Sequence, residues 1–328
     1  MQTVDAPGEH KGTVIDPASL VPGANLRGAN LAGVDLTGLD LSGADLSLAD
    51  LSDVRATGAI LAGASLHGAT LEGAQLLNAD LSGADLSDTS AAGANLGGAR
   101  LVEASLFGAD LTNGSLSHAV ATRADLRTVK LIDARLRSAE LSEADLTNAE
   151  LTDADLTEAV VDDAVFRDAE LHGTRLKGII GYRSADWVGA DTTGTDFTGA
   201  FLARRAIIDQ NYLHEFRTQS PTHEWIYRLW WLTSDCGRSM VRWGLCTLVF
   251  ALIFAGLYEV VDIDFGDEKT ALSSIYFSIV TLTTLGYGDV LPSSQTAQAV
   301  VIGQVIVGYG MLGGLLSIFS TMMSRRGE

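Results

Sequence analysis

Seven consecutive residues late in the chain, Thr283-Thr284-Leu285-Gly286-Tyr287-Gly288-Asp289, combine types that suit the binding of a bare cation. Two hydroxyl side chains lead the run, and Gly286 and Gly288 alternate with bulkier residues. Glycine adopts backbone angles that a Cβ penalises, so successive carbonyls here can face one axis and replace the water around an ion. The histidines (His10, His67, His118, His172, His214, His223) are scattered without metal-ligand spacing. No enzyme constellation is found, no nucleotide-binding fingerprint follows, and no organic cofactor is expected. Cys236 and Cys246 read as two free thiols.

Such a segment needs a frame. Residues 241–261 are almost uninterrupted apolar sequence and can span a ~30 Å hydrocarbon core. Residues 297–323 form a second, Gly-rich apolar stretch. The apolar run 272–285 between them is too short to cross and return, so it is expected to be re-entrant, which is allowed where irregular backbone is buried or lines a wet pore. Arg238 and Arg242 precede the first span, Arg325 and Arg326 follow the second, and acids fill the loop from Glu259 to Glu268. The excess of positive charge near the termini places both of them, and the long N-terminal region, in the cytoplasm.

The run 283–289 closely resembles the selectivity-filter signature of potassium channels, here of the two-transmembrane-helix kind. The resemblance implies that the carbonyls of Thr284, Leu285, Gly286 and Tyr287, with the Thr284 hydroxyl, form stacked K⁺ sites, and that Gly288 completes the filter. Thr283 and Asp289 would support it, and Tyr287 would point outward to brace it. Since one subunit supplies one filter strand, the resemblance implies a homotetramer in the lipid bilayer. Leu285 occupies a position usually held by Val or Ile, and Val280 stands where some relatives carry a glutamate. Tyr276 and Phe277 replace the common tryptophans of the pore helix and read as packing. Asp262, Asp264, Asp267 and Glu268 would ring the outer mouth and concentrate cations. Gly308, with Gly310 next, is the candidate hinge of the inner helix, although close packing of small residues accounts for either equally well. No regular arginine series exists to sense voltage.

The first half of the chain obeys a different rule. From Leu26 to Leu176 every fifth residue is apolar; 26 of these 31 positions are Leu, and Ala stands two residues earlier in 24 cases. A period of five fits neither a helix nor a strand. It fits a backbone that turns a corner every five residues, Leu and Ala inward and polar residues outward, each coil burying its neighbour's leucines. Gly at the second residue after Leu (Gly28, Gly33, Gly38, Gly43) suits the corner. Runs such as Ala-Asn-Leu-Arg-Gly resemble the pentapeptide-repeat family, which implies a right-handed quadrilateral β-helix with four pentapeptides per coil. Roughly 35 repeats then give about nine coils and a rod of about 40 Å at one strand spacing per coil. The register slips near Gly181-Tyr182-Arg183, read as a bulge, and resumes at the pairs Ala185/Trp187, Ala190/Thr192, Thr195/Phe197 and Ala200/Leu202.

The resulting order is an N-terminal tail (1–20), the β-helix (21–202), capping and interfacial helices (203–240) and an all-α pore domain with a re-entrant pore loop (241–328). Within the last, spans at 241–261 and 297–323 flank a pore helix at 271–283 and the filter at 284–289. Residues 204–218 could cap the open end of the solenoid. Trp225, Leu229 and Leu232 share a helical face widened by Trp230 and Trp231, with Arg228 outside it, which suits a headgroup region. The net charge of −19 is lopsided: residues 1–200 carry 30 acids against 13 bases, the rest 11 against 9. Nucleic acid is excluded as a partner, since binding it needs basic surface. Some soluble pentapeptide-repeat proteins mimic DNA, but the membrane spans argue against that role. No basic-then-apolar signal leads the chain, so the first domain is expected to stay where it is made. The expected function is a K⁺-selective channel subunit in the cell membrane, its solenoid regulatory or assembling and open to an unidentified cytoplasmic partner. A membrane-tethered interaction scaffold and a poorly selective cation channel stand as alternatives.

Overall fold

The computed structural model describes residues 19–237, 239–261, 263–265, 270–283, 285–288 and 290–324. It divides into two compact units, Met1–His214 and Glu215–Glu328.

In the first unit the five-residue period becomes a ladder. Parallel bridges join every fifth residue to the one twenty positions on, from Asn25↔Asp45 to Val160↔Ile180, so four pentapeptides complete a coil. A repeat inside the ladder, such as 44–48, donates three rungs: the Asp45 amide to the Ala24 carbonyl at 2.9 Å, the Leu46 amide to the Ser65 carbonyl at 2.7 Å and the Leu48 amide to the His67 carbonyl at 2.9 Å. A tight turn closes each corner, as where Ala29 N–H donates to Leu26 O at 3.0 Å. The leucines at every fifth position are buried, as are the alanines two residues before them from Ala44 on, whereas Ala24 and Ala29 are half-buried. The narrow interior accounts for the small residue beside each leucine, because close packing leaves no room for two large ones.

Where aspartate precedes the leucine, it does more than face solvent. Its carboxylate accepts the amide two residues on, at 3.0 Å for Asp35 from Thr37, Asp40 from Ser42 and Asp45 from Ser47. These are Asx turns and give a physical reason for Asp and Asn at that position. The corner residue sits in left-handed backbone; where it is not Gly it is often Asp or Asn, as at Asp53, Asn78 and Asp88.

At Gly181–Ser184 the offset changes from twenty to twenty-one, so that Val165 pairs with Asp186 and Glu170 with Asp191. Trp187 takes the leucine position here and stacks on Phe166, ring centroids 4.2 Å apart. Helix α1 (Phe201–Thr218) then ends the ladder. Ala203 and Ile207 of α1 are buried in the same core. The Gln210 carbonyl oxygen accepts the Trp187 amide at 2.8 Å, and that of Asn211 accepts the Gly189 amide at 2.8 Å. Asn211 also donates to Trp187 O at 3.0 Å. Side-chain amides therefore occupy the positions a further coil's backbone would take. The expected Ala200/Leu202 pair is corrected: Leu202 lies in the first turn of α1 and is 55 % exposed.

The second unit is helical. Helix α2 (Pro221–Ser234) starts with the Ser220 hydroxyl accepting the His223 amide and Pro221 in its first turn. A left-handed turn at Asp235 and Cys236 leads to α3 (Met240–Tyr258), capped by Ser239. Strand β1 (Ile263–Asp264), helix α4 (Ser273–Leu282), strand β2 (Leu291–Pro292) and helix α5 (Gln295–Ser324) follow. Helices α3 and α5 are each long and apolar enough to cross a membrane, and α4 is a shorter apolar helix packed with both.

Candidate functional site

The candidate site begins where α4 stops. The Thr283 hydroxyl and amide both turn back onto the Ile279 carbonyl, at 2.7 and 2.9 Å, which ends the helix. The Leu285 amide then donates to the Val280 carbonyl at 3.1 Å, so the following segment is fastened to the last turn of α4. Gly286 (φ 52°) and Gly288 (φ 76°) are both left-handed, and they alternate in sequence with Leu285 and Tyr287. Two left-handed residues so spaced turn successive peptide planes, and Gly adopts that backbone with no Cβ penalty. Leu285 and Tyr287 are 60 % and 66 % exposed in the single chain. Thr284 and Asp289 lie outside the described residues, as do Asp262, Asp267, Glu268, Arg238, Arg325 and Arg326.

Beyond the segment, β2 pairs antiparallel with β1, Ile263 opposite Pro292 and Asp264 opposite Leu291. This small sheet brings Asp264 beside the exit of the loop. Before it, the Ser274 hydroxyl donates to the Glu259 carboxylate, tying the start of α4 to the end of α3.

Behind α4 lies a polar cluster that the sequence reading did not single out. The Gln304 amide nitrogen donates to Ser278 O at 2.9 Å and contacts Ser278 Oγ at 2.7 Å. Its oxygen accepts the Tyr258 hydroxyl, and the Ser278 hydroxyl reaches Ala251 O at 2.7 Å. The available signal was a glutamine in mid-course of an apolar span. Phe277 is buried and meets Tyr258 with centroids 4.9 Å apart and Phe265 at 6.2 Å. Tyr276 is exposed and Val280 buried.

Gly308 sits against the end of α4: a Cβ there would stand 2.5 Å from the Leu282 carbonyl oxygen, whereas one at Gly310 would meet nothing within 4 Å. Close approach therefore accounts for Gly308. Among the described residues, no group of three His, Cys, Asp or Glu side chains is placed to hold a metal ion.

The model of an ion-channel family matches residues 246–325, and pentapeptide repeats are matched in five segments between residues 19 and 180. The channel match is to an ion-channel family and not an enzyme family. Two pore potassium channel b of Oryza sativa subsp. japonica is 36 % identical over 76 residues, 23 % of this chain and 22 % of that protein. The calcium-gated potassium channel TvoK of Thermoplasma volcanium is 32 % identical over 72 residues, 20 % and 21 % of the two chains. The chain thus spans about a fifth of the length of these curated relatives. Among solved structures, HetL, a pentapeptide repeat protein of the cyanobacterium Nostoc, is 31 % identical, with 53 % of this chain and 90 % of that one covered and a TM-score of 0.25.

Proposed function

Because the chain carries pentapeptide repeats on its N-terminal side and a potassium-channel pore domain with membrane helices on its C-terminal side, we propose that it is one subunit of a homotetrameric, K⁺-selective channel of the cell membrane. The observation that carries this reading is the backbone at 285–288, where left-handed Gly286 and Gly288 alternate with Leu285 and Tyr287. Four copies about one axis would line a path with carbonyl oxygens of Thr284, Leu285, Gly286 and Tyr287 that replace the hydration shell of K⁺. Helix α4 ends at this path, and the partial negative charge of a helix C-terminus favours a cation there. Leu285 and Tyr287, exposed in one chain, would be covered by the neighbouring subunits, Tyr287 bracing the filter from outside. Thr283 and Asp289 complete its support.

Helices α3 and α5 span the bilayer, and the solenoid, a right-handed quadrilateral β-helix, lies in the cytoplasm with the C-terminus. Trp225, Leu229 and Leu232 of α2, all exposed, lie at the headgroup level. The solenoid serves regulation or assembly.

The test is K⁺ and Na⁺ flux through the purified chain in liposomes. A K⁺-selective flux that Gly286→Ala abolishes supports the reading. Equal Na⁺ and K⁺ permeability assigns a poorly selective cation channel instead, and a flux indifferent to Gly286→Ala, or an assembly that is not fourfold, leaves only the tethered scaffold. Deleting residues 1–200 without effect on assembly or gating would remove the solenoid's assigned role.

A further inference from the structure

Gln304 stands in the first half of α5, in a stretch of apolar side chains, and is fully buried. A primary amide removed from water is strongly unfavourable unless its polar atoms find partners. Here they do, and the partners belong to two other helices. The nitrogen serves Ser278 of α4 through both its carbonyl and its hydroxyl, while the oxygen accepts from Tyr258 of α3. Ser278, itself fully buried, passes the connection on to the Ala251 carbonyl of α3. One side chain therefore joins three helices.

The seam has a second contact one helical turn along. Gly308 follows Gln304 by four residues and packs on the carbonyl of Leu282, which follows Ser278 by four. Positions four apart share a helix face, so the two contacts together fix the register of α5 on α4. The polar one is the more selective. A slide of α5 by one residue would leave the amide and the serine unpaired in a low-dielectric interior, where the penalty is greatest. Between Ser278 and Leu282 lies Val280, whose carbonyl receives the Leu285 amide. The loop 285–288 is thus fastened to the stretch of α4 that Gln304 holds.

We infer that Gln304 is a positioning residue for the filter, holding α4, and through it the loop 285–288, in conducting geometry from within the inner helix. The inference rests on the channel reading above and adds to it the residue that keeps the pathway in shape.

The experiment measures the time course of K⁺ current and the K⁺/Na⁺ permeability ratio of the full chain in planar bilayers, at high and low external K⁺. It compares Gln304→Met, which keeps the length and removes all three hydrogen bonds of the amide, Ser278→Ala, which removes only the hydroxyl and its two, and the double variant. The expected result is a decay of conduction at low K⁺ at least about tenfold faster in each single variant, the factor that the loss of a single buried hydrogen bond already supplies, with the double variant no faster than Gln304→Met. A structural role alone would lower the melting temperature of the tetramer while leaving decay and selectivity at wild-type values in the channels that assemble; that outcome overturns the inference. If Gln304→Met fails to assemble, Ser278→Ala decides by the same criterion, since the amide-to-carbonyl bond survives in it. Absence of K⁺ current from the unaltered chain would instead overturn the channel reading itself.

Discussion

The indole N–H of Trp243 on α3 donates to the backbone carbonyl of Met311 on α5 at 2.9 Å, and its ring lies against Gly314, where a Cβ would overlap the indole. An aromatic side chain of one apolar helix is thus latched onto the backbone of the other. Trp243→Phe keeps most of the ring and loses the hydrogen bond, at about 1 kcal/mol. Gly314→Ala displaces the ring as well, and is expected to cost about 1–3 kcal/mol. Thermal denaturation of the purified chain should rank the unaltered protein above Trp243→Phe and that above Gly314→Ala.

The two candidate hinge glycines are separable by the same physics. Gly308→Ala drives a methyl into the Leu282 carbonyl and is expected to destabilise the protein by about 1–3 kcal/mol and to reduce K⁺ flux. Gly310→Ala meets nothing and gains up to about 1 kcal/mol of helix propensity. If α5 pivots at Gly310, that variant combines raised stability with lowered open probability in single-channel records. Unchanged opening would remove Gly310 as the pivot.

The amides closing the solenoid give a graded prediction. Gln210→Ala leaves the amide of the buried Trp187 without its acceptor, a loss of about 1–3 kcal/mol. The Gly189 amide that Asn211 serves is exposed, so water replaces part of that bond and Asn211→Ala should cost less. Hydrogen exchange of the amides around residues 185–190 should accelerate more in the first variant.

The Asx carboxylates predict the acid limit of the first unit. Hydrogen bonds from Thr37 to Asp35, from Ser42 to Asp40 and from Ser47 to Asp45 hold these carboxyls below the usual range. A group whose folded pKa lies below its unfolded one contributes stability that is complete above the unfolded value and is lost as pH falls through the folded one. Solenoid amides should therefore keep constant protection above about pH 5 and lose it progressively below about pH 4. Protection that rose on acidification would contradict the assignment.

The features legible in the sequence are those set by short stretches of chain. A corner every five residues needs Leu and Ala inside and a left-handed residue outside, so the ladder is written repeat by repeat, and the slip at residue 181 shows as a break in the count. Likewise Gly286 and Gly288 announce their own backbone angles, and two apolar stretches announce membrane helices. The aspartates that precede leucines, such as Asp35, Asp40 and Asp45, were read only as polar surface residues, because their turn-closing role depends on the corner being formed.

Tertiary structure decided whatever depends on which elements meet. That Gln210 and Asn211 replace a missing coil required α1 to fold over Trp187 and Gly189. That Gln304 is paired, and not a misplaced polar group, required Ser278 and Tyr258 to converge from two other helices. Gly308 looked the same as Gly310 until Leu282 came to rest against one of them. The physical reason is common to all three: a periodic pattern encodes the face a residue presents, whereas the partner on that face is chosen by packing between segments far apart in the chain.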